Sequence, residues 1–259
     1  MGKKKGLLPI LIICFLVLLA TSAVSQEAGS VPKDLDLSKS TPLFNSYAFQ
    51  SALRSSSGGG GIPVECYSDI GKNAVNFGFA ANDEEAKFFI IGSIYSEAMA
   101  YLLSGDRFMA AKSLGAIEKE FINLRVPSSL YNYIVKMRNW VENSKYPQEM
   151  LAEFLSLFQP FYEDYAKGKG EKKLTLFRAG VWLVNMSLTA AVGDQALLRQ
   201  KGTLQYFSTE MKRTNATKGV LMDLAKITQI TEKKEITDQD TKEILELVKD
   251  IQRLLTILP

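Results

Sequence analysis

The sequence predicts an all-α fold: a multi-helix bundle of about seven helices arranged as antiparallel helical hairpins. Two observations carry this prediction. From residue 82 onward, apolar side chains recur at spacings of three and four, which is the period of one helical face. No segment alternates polar and apolar residues with period two over a useful length, as a half-buried strand would.

The chain begins with the features of a secretory signal. Three lysines, Lys3 to Lys5, precede an apolar run from Leu7 to Ala20, and small side chains follow at Ala23 and Ser25. Residues 1–25 are therefore predicted to be a signal peptide. An uncleaved membrane anchor is the alternative, because the apolar run is almost long enough to span a bilayer. Both alternatives predict an exported protein, periplasmic or extracellular.

The positive charge of the chain belongs to this leader. The chain has 31 Lys and Arg against 28 Asp and Glu, and residues 1–25 hold three lysines and no acid, which leaves 28 of each. A neutral body lacks the basic surface of a nucleic-acid-binding protein. We therefore expect no nucleic-acid partner, and contact with a membrane only through an uncleaved leader.

Cysteine and histidine usage restricts the chemistry. One cysteine, Cys66, follows the leader, so no internal disulfide can form within the exported part. The chain has no histidine. This excludes His-based general base catalysis, Ser-His-Asp and Cys-His triads and nearly all catalytic zinc sites. We predict no cofactor, no metal site and no catalytic residue.

The segment 26–62 is rich in Ser and Gly and is predicted to be a flexible tether. Within it, Leu43 to Leu53 carries enough apolar residues for a short helix that docks on the body or binds a partner, with transient structure as the alternative. A helical domain is predicted over 63–259. Its first part, Ile62 to Ala81, forms either a short hairpin or an irregular cover.

Helix boundaries follow from caps and breakers. Asn82 with acids at 83–85 starts a helix that runs to about Ser104, and Thr237 with Asp240 caps the last one. Between them, helices are predicted over 108–121, 127–140, 147–165, 174–192, 197–207 and 216–230, with a turn at 167–170. Pro160 should kink the helix that contains it.

The helix over Leu174 to Val192 is the most apolar. It is long enough to span a membrane, but Arg178 and Asn185 interrupt it, and a buried central helix is the preferred interpretation. Arg178 then needs an acidic partner, because an unpaired buried charge is costly.

Gly105 and Asp106 interrupt two matched apolar stripes and indicate a helical hairpin. Ala98, Tyr101, Gly105, Asp106, Ala110, Leu114 and Ile117 fall in an order that resembles one tetratricopeptide unit of about 34 residues. The resemblance implies a concave face that binds a peptide or protein. A generic helical hairpin explains the same residues, and the second Gly-Asp turn, at 193–194, lies 88 residues on, which is not a repeat length of this family.

Aromatic residues concentrate between Phe121 and Tyr165. Core filling is the default interpretation. Pro160 and the adjacent acids Glu163 and Asp164 also suit a bent binding surface, and tyrosines favour wet edges. We select four candidate binding residues from this region: Tyr131, Trp140, Phe158 and Tyr162.

The predicted function is that of an exported, non-enzymatic protein that binds a protein or peptide partner. A binder of an apolar or glycan molecule in an aromatic-lined pocket is the second hypothesis. A histidine-free hydrolase that uses paired carboxylates is the third. Three acid pairs are candidates for that chemistry: Glu118 and Glu120, Glu163 and Asp164, and Asp238 and Asp240.

Overall fold

The computed structural model describes residues 45–57 and 84–256, and within these residues it is helical with no strand. The all-α prediction is therefore confirmed for the described part. The helices are α1 (Ser46–Ser56), α2 (Glu84–Ser104), α3 (Arg107–Leu124), α4 (Ser128–Asn143), α5 (Gln148–Ser156), α6 (Phe158–Lys169), α7 (Glu171–Val192), α8 (Gln195–Leu198), α9 (Lys201–Arg213), α10 (Lys218–Thr231) and α11 (Asp238–Thr256). The leader, Cys66, the rest of the tether and the segment up to residue 83 lie outside the described residues.

Two predicted helices are each broken in two. The helix predicted over 147–165 ends at Ser156, and α6 starts at Phe158. Pro160 thereby falls in the first turn of α6, where a missing N–H leaves no helical bond unmade. The helix predicted over 197–207 is interrupted at Arg199 and Gln200, between α8 and α9. The turn predicted at 167–170 is confined to Gly170, which has a φ of 134°.

The centre of the protein is the pair α2 and α7, which make the most extensive contact between any two helices in the described part. Glycines allow their backbones to meet. A Cβ added at Gly92 would collide with the carbonyl oxygen of Phe177, and a Cβ added at Gly180 would collide with that of Phe89. Only glycine fits at both points of the crossing.

These two helices run in the same direction. Near their N-terminal ends, Lys173 Nζ lies 2.7 Å from Glu84 Oε1 and Lys172 Nζ lies 2.5 Å from Glu85 Oε2. Further along both helices, Ser96 Oγ donates a hydrogen bond to Asn185 Oδ1 at 3.1 Å. A bundle of antiparallel hairpins alone does not describe this parallel central pair.

The parallel pair relates two halves of the chain, a first half from α2 to α6 and a second from α7 to α11. Gly180 follows Gly92 by 88 residues, and the two phenylalanines opposite them, Phe89 and Phe177, are also 88 residues apart. The turns that end α2 and α7 are alike. Asp106 Oδ1 accepts from the N–H of Met109 at 2.9 Å, and Asp194 Oδ1 accepts from that of Leu197 at 2.9 Å.

The same correspondence holds for the buried faces of the later helices. In α3 and α9, α4 and α10, and α5–α6 and α11, the buried positions repeat with the same internal spacing. The pairs are Leu114 and Leu204, Ile117 and Phe207, Phe121 and Met211, Leu130 and Val220, Ile134 and Leu224, Met137 and Ile227, Val141 and Thr231, Leu151 and Ile244, Leu155 and Val248, Phe158 and Ile251, Gln159 and Gln252, and Tyr162 and Leu255. We infer an internal duplication, in which the spacing of 88 residues between the two Gly-Asp turns relates equivalent positions of the two halves.

By length and hydropathy, α2 and α7 qualify as candidate membrane spans. Their most apolar windows are 94% and 83% buried within the protein. Core helices of soluble proteins have the same length and composition, so this is weak evidence for a span. The packing of α7 agrees with the buried central helix that the sequence favoured.

Helix α1 comes from the segment assigned to the tether, so the domain also includes part of residues 26–62. It packs against α2, α5 and α7. Phe49 and Leu53 are buried, and Arg54 Nη1 lies 3.3 Å from Glu149 Oε1. Of the two interpretations of this segment, the docked helix is the one in the structure.

Candidate functional site

The four candidate binding residues do not form one surface. Phe158 and Tyr162 are 1% and 0% exposed and belong to the core, whereas Tyr131 and Trp140 are partly buried and pack against it. The prediction of an exposed aromatic edge is therefore wrong for Phe158 and Tyr162. Burial raises the pKa of Tyr162 well above its usual value.

The aromatic stripe of α6 is close-packed rather than arranged around a ligand. Tyr162 lies 4.8 Å from Phe177 and 5.4 Å from Phe121 between ring centroids, and Phe158 lies 5.7 Å from Tyr95. These are ordinary distances for aromatic pairs in a core. These side chains therefore do not line a pocket, which counts against the hypothesis of a bound apolar or glycan molecule.

Trp140 belongs to a separate, half-exposed group on α4 and α5. Its ring centroid lies 5.5 Å from that of Phe154 and 6.1 Å from that of Tyr146, and Lys136 Nζ lies 4.7 Å above the indole. The three rings contact one another, and only Tyr146 is exposed among them. This group holds α4 against α5.

Three large exposed apolar side chains lie on the outer side of α5 and α6, in addition to Phe108 and Ile122 on α3 and Met222 on α10. Met150, Leu157 and Phe161 are 38%, 55% and 61% exposed. Leu157 separates α5 from α6, but the buried residues Leu151, Leu155, Phe158 and Tyr162 keep helical spacings of four, three and four across it. The three exposed residues, which recur at seven and four, therefore lie together on the other side. Glu153 and Asp164 lie on the same exposed side. We call these five residues the α5–α6 face.

The acid pairs are engaged in the structure of the helices. Glu118 Oε1 lies 2.9 Å from Arg138 Nε, and burial raises the pKa of this carboxyl although Arg138 opposes it. Asp240 Oδ2 accepts from the N–H of Thr237 at 2.9 Å, as the predicted cap requires. Hydrogen bonds from Lys233 and Thr237 lower the pKa of Asp240 to about 2.

Arg178 has the acidic partner that its burial demands. Its Nε donates to Glu163 Oε2 at 2.9 Å and its Nη2 to the same oxygen at 2.5 Å. Glu163 also accepts from Gln159 Nε2 at 3.0 Å. Each acid pair therefore has one member in an ion pair or a cap, which gives that member a structural role. Among the described residues, no group of three or more Cys, Asp or Glu side chains is placed to hold a metal ion.

A buried polar network attaches α1 to the central helices. Gln50 Nε2 donates to Asn185 Oδ1 at 2.9 Å and to the carbonyl oxygen of Ser96 at 3.0 Å. The hydroxyl oxygens of Ser46 and Ser96 are 2.8 Å apart, and the Ser46 N–H donates to Gln159 Oε1 at 3.2 Å. These bonds fix the position of α1 along α2 and α7.

Glu97 is the residue that the sequence analysis missed. It follows Ser96 in α2, is 3% exposed, and its Oε1 has no hydrogen-bond partner among the described residues. Burial raises the pKa of this carboxyl from 4.5 to about 8. Asn185 lies 88 residues later, so Glu97 occupies in the first half the position of that amide in the second. An acid in the middle of an otherwise apolar helix is the signal that could have revealed it.

Comparison with known proteins does not relate this chain to any of them. No protein family matches the chain, and no curated protein and no solved structure match it significantly. The weak tetratricopeptide resemblance around Gly105 therefore gains no support from these comparisons.

Proposed function

We propose that the chain is an exported, non-enzymatic helical protein that binds a protein partner, and that it does so through the α5–α6 face. The observation that supports this proposal is that Leu157 and Phe161 are exposed only four residues apart, whereas the more exposed Phe108 and Ile122 lie 14 residues apart on α3. Exposed apolar side chains grouped on one side of a helix are typical of surfaces that another molecule covers.

The proposed function includes export directed by the leader. Residues 1–25 direct export and are removed, or remain as an anchor that holds the helical domain at the outer side of the membrane. We further propose that successive helices within each half pair as antiparallel hairpins, since tight turns such as Gly105–Asp106 join them.

Capture from intact cells tests partner binding. The tagged full-length chain is crosslinked in its own host and purified from the exported fraction, and the enriched proteins are identified by mass spectrometry. We expect one protein that is enriched with the wild-type chain and binds it again when both are purified.

The double variant Leu157→Ser with Phe161→Ser should lose that protein. A matched control alters exposed residues of the second half, Asp250→Ser with Arg253→Ser, and should retain it. If no protein rebinds the purified wild-type chain, the proposed function is wrong.

A further inference from the structure

The internal duplication supplies a comparison for the α5–α6 face. The buried residues of α5 and α6 correspond to those of α11 at a spacing of 93 residues, from Leu151 and Ile244 to Tyr162 and Leu255. At the same spacing, the exposed residues Met150 and Leu157 correspond to Glu243 and Asp250, which are also exposed, whereas Phe161 corresponds to the partly buried Leu254. The α5–α6 segment and α11 thus share a buried pattern and differ in residue type at two exposed positions.

The second half has charged residues at the positions of Met150 and Leu157, and Asp250 Oδ1 lies 3.2 Å from Arg253 Nη2. The fold therefore does not require an apolar side chain at the position of Leu157. Leu254, the counterpart of Phe161, packs against the core, whereas Phe161 is 61% exposed. The apolar character of Leu157 and the exposure of Phe161 need another cause, and a partner that covers both would supply one.

Acids bracket the apolar part of the face. Glu153 lies one turn before Leu157, and Asp164 lies about one turn after Phe161. Both acids are exposed, and Glu153 also accepts a hydrogen bond from the Tyr47 hydroxyl at 3.2 Å. A helix that lies along this face meets apolar side chains in the middle and a negative charge near each end.

A second copy of the chain does not fit this arrangement. Antiparallel pairing of two α5–α6 faces, centred on Leu157 and Phe161, brings Glu153 of one copy beside Asp164 of the other. Like charges placed together in an interface oppose association. Basic side chains at the same two places would instead be attracted to both acids.

We propose that the α5–α6 face binds an amphipathic helix of another protein whose apolar residues are flanked on both sides by Lys or Arg. This inference rests on the proposed function and specifies the chemistry of the partner. The apolar residues cover Leu157 and Phe161, and the basic residues pair with Glu153 and Asp164.

The test is selection from a displayed library of short helical peptides with random outer residues, against the purified full-length chain. The expected peptides share two apolar residues one turn apart with Lys or Arg on both sides. Leu157→Ser with Phe161→Ser should weaken their binding about tenfold or more, whereas Asp250→Ser with Arg253→Ser should not. Asp164→Lys should shift the selected flanking residues on its side from basic to acidic. This variant is preferred to Glu153→Lys because Glu153 also holds Tyr47.

Three outcomes overturn the inference. They are selected peptides with acidic or uncharged flanks, binding that is insensitive to the change at Leu157 and Phe161, and self-association of the wild-type chain that the same change abolishes. In the second case, partner capture from cells still tests the proposed function through another surface. Failure of that capture removes the proposed function as well.

Discussion

The two halves of this protein share a buried framework and differ in what they attach to it. Both have a long core helix that crosses its partner at a glycine, and both end that helix in a Gly-Asp turn. They differ at the position of Asn185 and Glu97, and on the outer face of the last helical segment. The shared positions specify packing, whereas the differing positions are where we look for function.

The largest effect should come from the feature that both halves share. Gly92→Ala or Gly180→Ala places a methyl group against a backbone carbonyl of the opposite helix, so the two core helices must separate. We expect each variant to lose about 3 kcal/mol of unfolding free energy, the upper end of what an inserted methyl group costs in a packed core. Urea denaturation followed by circular dichroism measures the loss.

Gly168→Ala is the matched control, because a Cβ at this helical position meets nothing within 4 Å. It should be neutral or slightly stabilising, since alanine is the better helix former. Equal losses for Gly92→Ala and Gly168→Ala would contradict the close crossing of α2 and α7.

Glu97 should make the stability of the domain depend on pH. Its pKa is about 8 in the folded state and near 4.5 in the unfolded chain, so unfolding releases a proton between these values. The contribution of Glu97 to stability is fully present below about pH 4.5, decreases as pH rises, and levels off above about pH 8. Glu97→Gln should remove this decrease, which amounts to several kcal/mol for a pKa difference of this size, and denaturation curves at several pH values measure it.

Glu118→Gln provides the comparison for the Glu97 prediction, because Arg138 opposes the effect of burial at that carboxyl. The pH dependence should change less in this variant. Retention of the full wild-type pH dependence in Glu97→Gln would show that other groups cause it.

Asn185→Ala should destabilise the domain by about 2 kcal/mol, because Gln50 and Ser96 then lose a buried acceptor. The effect should be local. In hydrogen exchange, amides of α1 should lose protection before those of α10, which packs mainly against α9 and α11. Uniform loss of protection would indicate instead that α1 is an integral part of the core.

Substitutions on the α5–α6 face should have the smallest effect on stability. Leu157→Ser should change the free energy of unfolding by less than about 0.5 kcal/mol, since the side chain is already more than half exposed. The adjacent Phe158→Ser should cost several kcal/mol. Thermal melting of the two variants checks this contrast, and similar losses would mean that Leu157 serves the fold.

The periodicity of the sequence was sufficient to locate most helices. Apolar spacing and caps predicted α2, α3, α4, α7, α10 and the capped start of α11. The break between α8 and α9 was not predicted, because Arg199 and Gln200 are not residues that normally end a helix. Arg199 is held there by carbonyl oxygens of Thr231 and Lys233. Such distant contacts leave no local signal.

The candidate site was harder to predict for a similar reason. Phe158 and Tyr162 on α6 are four residues apart, and so are Phe161 and Leu157, which immediately precedes α6. The sequence shows that α6 has apolar residues around most of its surface, but the packing of α6 against α3 and α7 decides which pair is buried. The duplication was also hidden, because the two halves share residue types at few positions and their connections differ in length.

The parallel pairing of α2 with α7 has a consequence for the nascent chain. Gly92 leaves the ribosome 88 residues before Gly180. At about 5 to 20 residues per second, α2 waits roughly 4 to 18 seconds for the helix that covers it. The core cannot close before translation of the second half begins. The apolar surface of α2 stays uncovered during this interval, which is therefore the stage of synthesis most exposed to aggregation.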